Sequence, residues 1–490
     1  MEKLGFVDIF VMVIYFIALM SIGAYVLRSK KEKGEIESFL AADRNMGLFQ
    51  TTATTSATDL GGGFSIAMGG LGFSMGLAGS WLMAVSALSA IGAAFFLVPV
   101  VKKWADKCKG YTIGDLFTQR FDKKTGFMAA ILIGLAWFCF VGGQIIAGGK
   151  LIAGTMGIGL SVSIIIAGAI VLFYTSAGGL KAVIYTDVFN MVVLFLGVIL
   201  ILIPIGWIKS GGWQGLVEQF SASAETSKLL DWGNVSWKTG IGWFLSIFPV
   251  WFISICSIQR IIAAKDESTA KKAFFLTGIP IEWPIFAIGT VLIGMFARKL
   301  ISPGLTDPEL AVPRMIVTML PMGIAGLVVA GYTAAVISTA DSCLMGPVAI
   351  FTNDIYKKLI KPKASDSELI KVARIATIVM GFLAIYLAYK VPSILTIVLY
   401  AYTFGAAGLF FPMLGLLFWK RTTSTGAFWS IIIGGSSAVI WTLLGSPYGF
   451  AASYLGWTTS FLTLVLVSLN TQHGSEEDIE TFFPESKQIS

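Results

Sequence analysis

Long apolar runs separated by short polar ones dominate the chain. Stretches near residues 6–27, 46–72, 78–101, 127–154, 159–177, 182–208, 239–262, 273–299, 322–352, 373–390, 393–419, 425–446 and 449–470 are each long enough to cross a hydrocarbon core about 30 Å thick. They predict an all-α polytopic membrane protein with thirteen transmembrane helices. An odd number puts the two termini on opposite sides. Most of the 35 Lys and Arg fall in the loops near 28–45, 102–126, 178–182, 260–272, 353–374 and 420–424 and in the tail, so these are expected at the cytoplasm. That orientation leaves the N-terminus outside. Residues 1–470 read as one transmembrane domain and 471–490 as a short cytoplasmic tail.

Two spans break the helical pattern. In the second, Asp59-Leu-Gly-Gly-Gly-Phe64 sets three glycines beside a carboxylate at mid-depth, and each Gly costs a helix about 1 kcal/mol against Ala. The helix is expected to open there, which frees backbone groups that must line a cavity or hold a ligand. Five spans later Phe248-Pro-Val-Trp251 brings Pro249 to mid-depth, where proline removes a helix hydrogen bond. A simple kink would also explain Pro249 alone. Interruptions at matching places in two five-helix sets, 46–208 and 239–419, point to an inverted-repeat secondary transporter with its solute at the midplane. The span 6–27 then precedes the repeats, and 425–470 supplies two helices after them.

The run Gly331–Cys343 carries the densest polar pattern within an apolar span. On a helix Ala335, Ser338, Thr339 and Ser342 fall on one face, with Asp341 beside it. Hydroxyls alone serve helix packing equally well. A carboxylate costs roughly 2.5–3.5 kcal/mol at a bilayer's centre, so Asp341 is expected to face a cavity, an ion or a partner. The oxygen-lined stripe suits a small hard cation, sodium before others.

Composition agrees with the pattern and removes other classes. The 490 residues are 56% hydrophobic and 13% charged, with a mean hydropathy of +0.81, far from soluble proteins. The net charge of +7 sits in short loops, where orientation explains it, so no nucleic-acid partner is expected. Cys108, Cys139, Cys256 and Cys343 lack metal-ligand spacing, and the only histidine, His473, lies in the tail. No phosphate-binding loop or nucleophile–base arrangement suggests an enzyme or an ATP-driven pump. The first span lacks a small-residue cleavage site and reads as a retained helix.

Several runs together resemble the sodium:solute symporter family over roughly residues 6–470. They are Tyr174–Asp187, Ser257-Ile-Gln-Arg260, Ser338-Thr-Ala-Asp-Ser342 and Ile350–Tyr356. The resemblance implies a leucine-transporter-type 5+5 inverted repeat and two sodium positions. The first would join the carbonyls of Ala57 and Leu60 to Ala335, Ser338 and Thr339. The second, present in some members, would use Asp187 with Ser338, Asp341 and Ser342. Sodium would be the co-transported ion.

The solute is expected around the opened second span, at Asp59, Gly61, Gly62, Gly63 and Phe64. That stretch lacks the polar side chains a sugar needs, and it is similar to the choline- and proline-transporter branches. Asp59 could meet an ammonium directly, and Trp137 and Trp251 could add cation–π faces worth about 0.5–2 kcal/mol. Asp59 could equally serve sodium or packing, and the tryptophans could face lipid. Tyr400, Tyr402 and Thr403 are candidates for an outer gate. Glu282, between Pro280 and Pro284, is balanced between the permeation path and a structural role. Lys150 is expected to snorkel, and Arg260 to anchor at the cytoplasmic interface.

The chain is thus expected to be a sodium-coupled symporter of the cell membrane importing a small zwitterionic or cationic solute such as proline, a betaine, choline or an amine. A sodium- or proton-coupled carboxylate or vitamin carrier is the alternative. A sensor that keeps the transporter shape without turnover is the second.

Overall fold

A computed structural model describes residues 3–28, 41–175, 180–391, 393–472 and 482–483. Most of the first basic loop, the Ser176–Gly179 part of the symporter-like run, His473 and nearly all of the tail lie outside the described residues. The described chain is built of helices, and ten of them are long and apolar enough to cross a membrane; Phe6–Ile22 and Leu160–Leu172 are shorter apolar helices.

In chain order the principal helices are α1 (Phe6–Arg28), α2 (Leu48–Leu60), α3 (Gly62–Met75), α4 (Trp81–Phe96), α5 (Lys123–Met156), α6 (Leu160–Thr175), α7 (Leu180–Leu194), α8 (Trp237–Ile247), α9 (Ile255–Ala263), α10 (Glu267–Leu276), α11 (Ala287–Leu300), α12 (Ile324–Ala349), α13 (Asp366–Lys390), α14 (Ile394–Phe418), α15 (Ser424–Leu443) and α16 (Ala452–Asn470). Polar side chains fix where several begin. Asp122, Asp266 and Thr423 each accept an N–H from the first turn of the helix that follows.

Helices α3 and α4 run on through a tight turn, Gly76–Ser80, yet they are antiparallel legs. Ser86 on α4 donates to Asp59 on α2 across 3.3 Å. A straight helix would hold residues that far apart in sequence about 40 Å away. Gly76, at φ 65°, makes the reversal. Helix α3 then packs against α11 with backbones nearly touching: a Cβ on Gly72 would lie 2.1 Å from the Val291 carbonyl oxygen. Small residues permit such approach where no water separates the helices.

The core gathers around α12, nine-tenths of whose most apolar stretch is buried. It lies against α5, α7 and α3, and α5 also packs along α14. Helices α15 and α16 pair with each other and with α14 at the periphery.

Lys150 does not snorkel. Its Nζ donates to Asp307 Oδ2 and Glu309 Oε2, both at 2.6 Å. Glu309 also accepts the backbone N–H groups of Ile394 and Leu395, each at 3.0 Å, and so caps the start of α14 where unpaired amides favour negative charge. A lysine preceded by two glycines in an apolar run says nothing of a partner 157 residues on. We expect Lys150→Met to cost about 3 kcal/mol, the lower end for breaking a buried pair, because the Asp307 side chain is 34% exposed. Thermal unfolding in detergent measures this. An unchanged Tm would deny the cluster a holding role.

Candidate functional site

Helix α2 ends at Gly61, whose φ of 22° and ψ of 155° no ordinary side chain favours. The Asp59–Phe64 glycines thus open the helix where the sequence suggested. The second opening is shifted. Pro249 keeps helical angles, and the chain leaves the helix at Ser254 (ψ 127°), whose hydroxyl caps α9 through the Ser257 N–H at 3.2 Å. The proline acts upstream: Phe252 N–H bonds to the Pro249 carbonyl, and the Phe248 carbonyl takes the Ser89 hydroxyl instead.

Beside the first opening lies a cluster of neutral oxygens. Thr339 Oγ1 donates to the Ala335 carbonyl at 2.8 Å and stands 3.2 Å from the Ala57 carbonyl. Ser338 Oγ lies 3.3 Å from the Ala335 carbonyl. All four residues are buried. These carbonyls and hydroxyls are the hard donors a small cation takes. The Leu60 carbonyl belongs elsewhere here, accepting the Ser65 hydroxyl at 2.9 Å.

One turn away Arg260 is 1% exposed, not at the interface. The end of an apolar run looks like a membrane boundary in sequence, but α9 enters the packed bundle. Arg260 Nη2 donates to Thr58 at 2.8 Å, Ser342 at 2.9 Å and Thr54 at 3.3 Å, and lies 3.5 Å from Asp187 Oδ2. Thr54 in turn donates to that same oxygen at 2.6 Å. Asp187 and Ser342, two of the residues grouped for a second sodium, are therefore gathered about a guanidinium. Asp341 is buried next to them on α12.

Between α2, α5, α8–α9 and α14 runs a cavity with about 360 Å³ of empty space, gaps between side chains included. The room left for a guest within it is about 20 Å³, enough for a water and too little for an organic solute, so the walls must part before a solute enters. Asp59, Trp137, Phe140, Trp251, Arg260 and Tyr402 line it, with the hydroxyls of Thr55, Thr58, Ser254 and Ser257. Trp251 donates its indole N–H to Ser86 at 3.0 Å, and Ser86 donates to Asp59, so aromatic face and carboxylate are held in register. Trp137 and Tyr402 bracket Phe140, whose ring stacks on Tyr402 at 5.3 Å.

Other expected contacts fall outside the cavity. Tyr400 is 51% exposed on the outer surface of α14, because successive helix positions turn by 100° and Tyr402 takes the inner face. Phe64 is buried in the core, and Gly61, Gly62 and Gly63 abut Thr339, Val336 and Gln144; these glycines shape the opening and do not line the cavity. Thr403 bonds with Ser246 at 2.9 Å. Gln259 is buried beside Arg260. Nothing in their spacing signals that the Cys256 and Cys343 sulfurs lie 3.9 Å apart, with Cys256 in the cavity wall.

Comparison with known proteins gives these features a family. An osmoregulated proline transporter of Bacillus subtilis, OpuE, is 28% identical over 96% of both chains. The high-affinity proline transporter PutP of the same organism is 27% identical over 92% of this chain and 96% of its own. A sodium/glucose cotransporter of Vibrio parahaemolyticus is 28% identical over 95% of this chain and 88% of its own. Among solved structures, a sodium-coupled sialic acid symporter in a substrate-bound, outward-open state matches with a TM-score of 0.77 and 22% identity, covering 96% of this chain and 99% of that one. That likeness shows a shared all-helical fold. The family model for sodium:solute symporters matches residues 39–434, and the chain belongs to the sodium:solute symporter family, membrane transporters and not enzymes, with sodium as the coupling ion.

Proposed function

We propose that the protein is a sodium-coupled symporter that imports a small zwitterionic or cationic organic solute by alternating access. The observation that carries this reading is the cavity in which a half-buried Asp59 stands among Trp137, Trp251 and Tyr402. A carboxylate ringed by aromatic faces attracts an ammonium group by charge and by cation–π contact. The names of the two Bacillus relatives support a proline-like solute.

In this reading sodium binds among Ala57, Ala335, Ser338 and Thr339, with Leu60 joining when its carbonyl is released by Ser65. A second sodium would use Asp187, Asp341 and Ser342 in a state where Arg260 has withdrawn. We also read thirteen crossings, two five-helix inverted repeats and an external N-terminus. The reversal at Gly76 and the two shorter apolar helices support the count, and the charge of the loops supports the orientation.

Arg260 favours a second reading, a carboxylate solute. It lines the cavity, and its Nε and Nη1 donors have no hydrogen-bond partner. A zwitterion would use both poles.

Thermal stabilisation of the purified protein, with each solute tried in sodium and in potassium, tests this. A panel of proline, glycine betaine, choline, putrescine, lactate, pantothenate and glucose covers the classes. A ligand at one hundred times its Kd stabilises by about 2.7 kcal/mol. We expect a sodium-dependent shift from an amine or zwitterion. A shift from lactate or pantothenate alone would reassign Asp59, and one from glucose alone would sink the reading.

A further inference from the structure

Glu282 stands in an opened part of the helix that joins α10 to α11, where Ile279 and Trp283 both adopt extended angles. It is wholly buried, and neither carboxyl oxygen has a hydrogen-bond partner. Its carboxyl stands beside that of Asp59, on a segment packed against α2, where Thr277 meets Ser56 at 3.0 Å. Among the described residues neither group meets a lysine or arginine: Lys150 is committed to Asp307 and Glu309, and Arg260 to Asp187. A buried carboxyl without a partner, as Glu282 is, is costly and signals a missing guest.

We propose that Glu282 binds the solute, forming with Asp59 a two-carboxylate seat that selects ammonium groups bearing at least two N–H bonds. The inference rests on the cationic or zwitterionic reading above. Glu282 lies behind Asp59 and outside the cavity lining; an ammonium that reaches Asp59 and draws Glu282 towards it bridges the pair with one N–H for each. Primary and secondary amines, proline among them, have two or more. A quaternary ammonium has none: it would gain the aromatic faces but leave Glu282 unpaired. Ser86 ties the Asp59 carboxyl to the Trp251 indole through two hydrogen bonds, which favours one position of that carboxyl. The pair thus separates proline-like from betaine-like solutes, a choice that the aromatic lining alone leaves open.

Stepwise N-methylation tests this without any variant. Glycine, sarcosine, dimethylglycine and glycine betaine carry three, two, one and no N–H at a constant carboxylate; ethanolamine through choline does the same without one. Their apparent Kd values come from thermal stabilisation in sodium, with proline alongside. We expect a weakening of about ten-fold or more between two N–H and one, the scale of a lost charged hydrogen bond. In Glu282→Gln that step should flatten, with the two-N–H compounds weakened about ten-fold and Glu282→Asp recovering part of the loss. Sodium-dependent stabilisation without solute reports whether each variant is folded. Equal affinity along the wild-type series, or a folded Glu282→Gln with the wild-type profile, overturns the role of Glu282 and leaves the symport reading standing. Binding by none of these compounds overturns that reading and this one with it.

Discussion

Replacing Arg260 with methionine is expected to abolish solute uptake and to lower stability by about 3–5 kcal/mol, the cost of leaving one partner of a buried ion pair alone. Methionine keeps most of the chain length and apolar volume and removes the charge. Asp187, entirely buried, would lose its guanidinium neighbour at 3.5 Å, and the hydroxyls of Thr58 and Ser342 would lose their donor. Asp187→Asn added to the variant should return most of the stability, because the penalty comes from the stranded charge. Thermal unfolding of the single and double variants decides it. A single variant as stable as the wild type would mean that the pair holds nothing together. The same samples bear on the second ion. If sodium can take the vacated place beside Asp187 and Ser342, Arg260→Met will be stabilised by sodium more than the wild type is. No such gain would remove the second sodium position from the account.

Much of the site was legible because backbone chemistry and periodicity are local. Three glycines beside Asp59 signal an opened helix, and Ser338 with Thr339 at helical spacing signals an oxygen face; both stand together around Ala57. What the sequence could not give is where one element's end meets another. Pro249 marks a weak point, yet the chain parts five residues later, where Ser254 can cap the next helix. Arg260 and Lys150 look like boundary residues because their partners are 73 to 159 positions away in sequence. Tyr400 and Tyr402 differ only in which side of α14 they take, and nothing in an apolar stretch fixes that side.

Three consecutive residues of α2 join the parts of the mechanism. The Ala57 carbonyl belongs to the oxygen cluster, Thr58 receives the Arg260 N–H, and Asp59 lines the cavity. In the proposed reading, an ion that orders the end of this helix therefore also sets Asp59, the carboxylate assigned to the solute. That shared element is the differential affinity that coupling needs, and linkage makes it reciprocal. Each sodium entering down a 100 mV inside-negative potential adds about 2.3 kcal/mol to the drive.

Thr339→Val should expose this coupling most sharply. Valine has the shape of threonine with a methyl in place of the hydroxyl, so the fold should hold while the oxygen between Ala57 and Ala335, now at 3.2 and 2.8 Å, disappears. Losing one ligand of a charged guest is worth about 1.5–3 kcal/mol, which predicts a rise of roughly ten- to one-hundred-fold in the sodium concentration for half-maximal uptake. Vesicle uptake against a sodium titration measures it, and Thr339→Ser should recover most of the loss. Solute affinity in potassium should not move, because without sodium there is no ion contact to lose. At a fixed sub-saturating sodium concentration the solute should bind more weakly, and conversely solute should improve sodium binding less than in the wild type. If the sodium titration is unchanged, the ion binds away from Thr339, and the oxygen cluster is only the seam between α2 and α12.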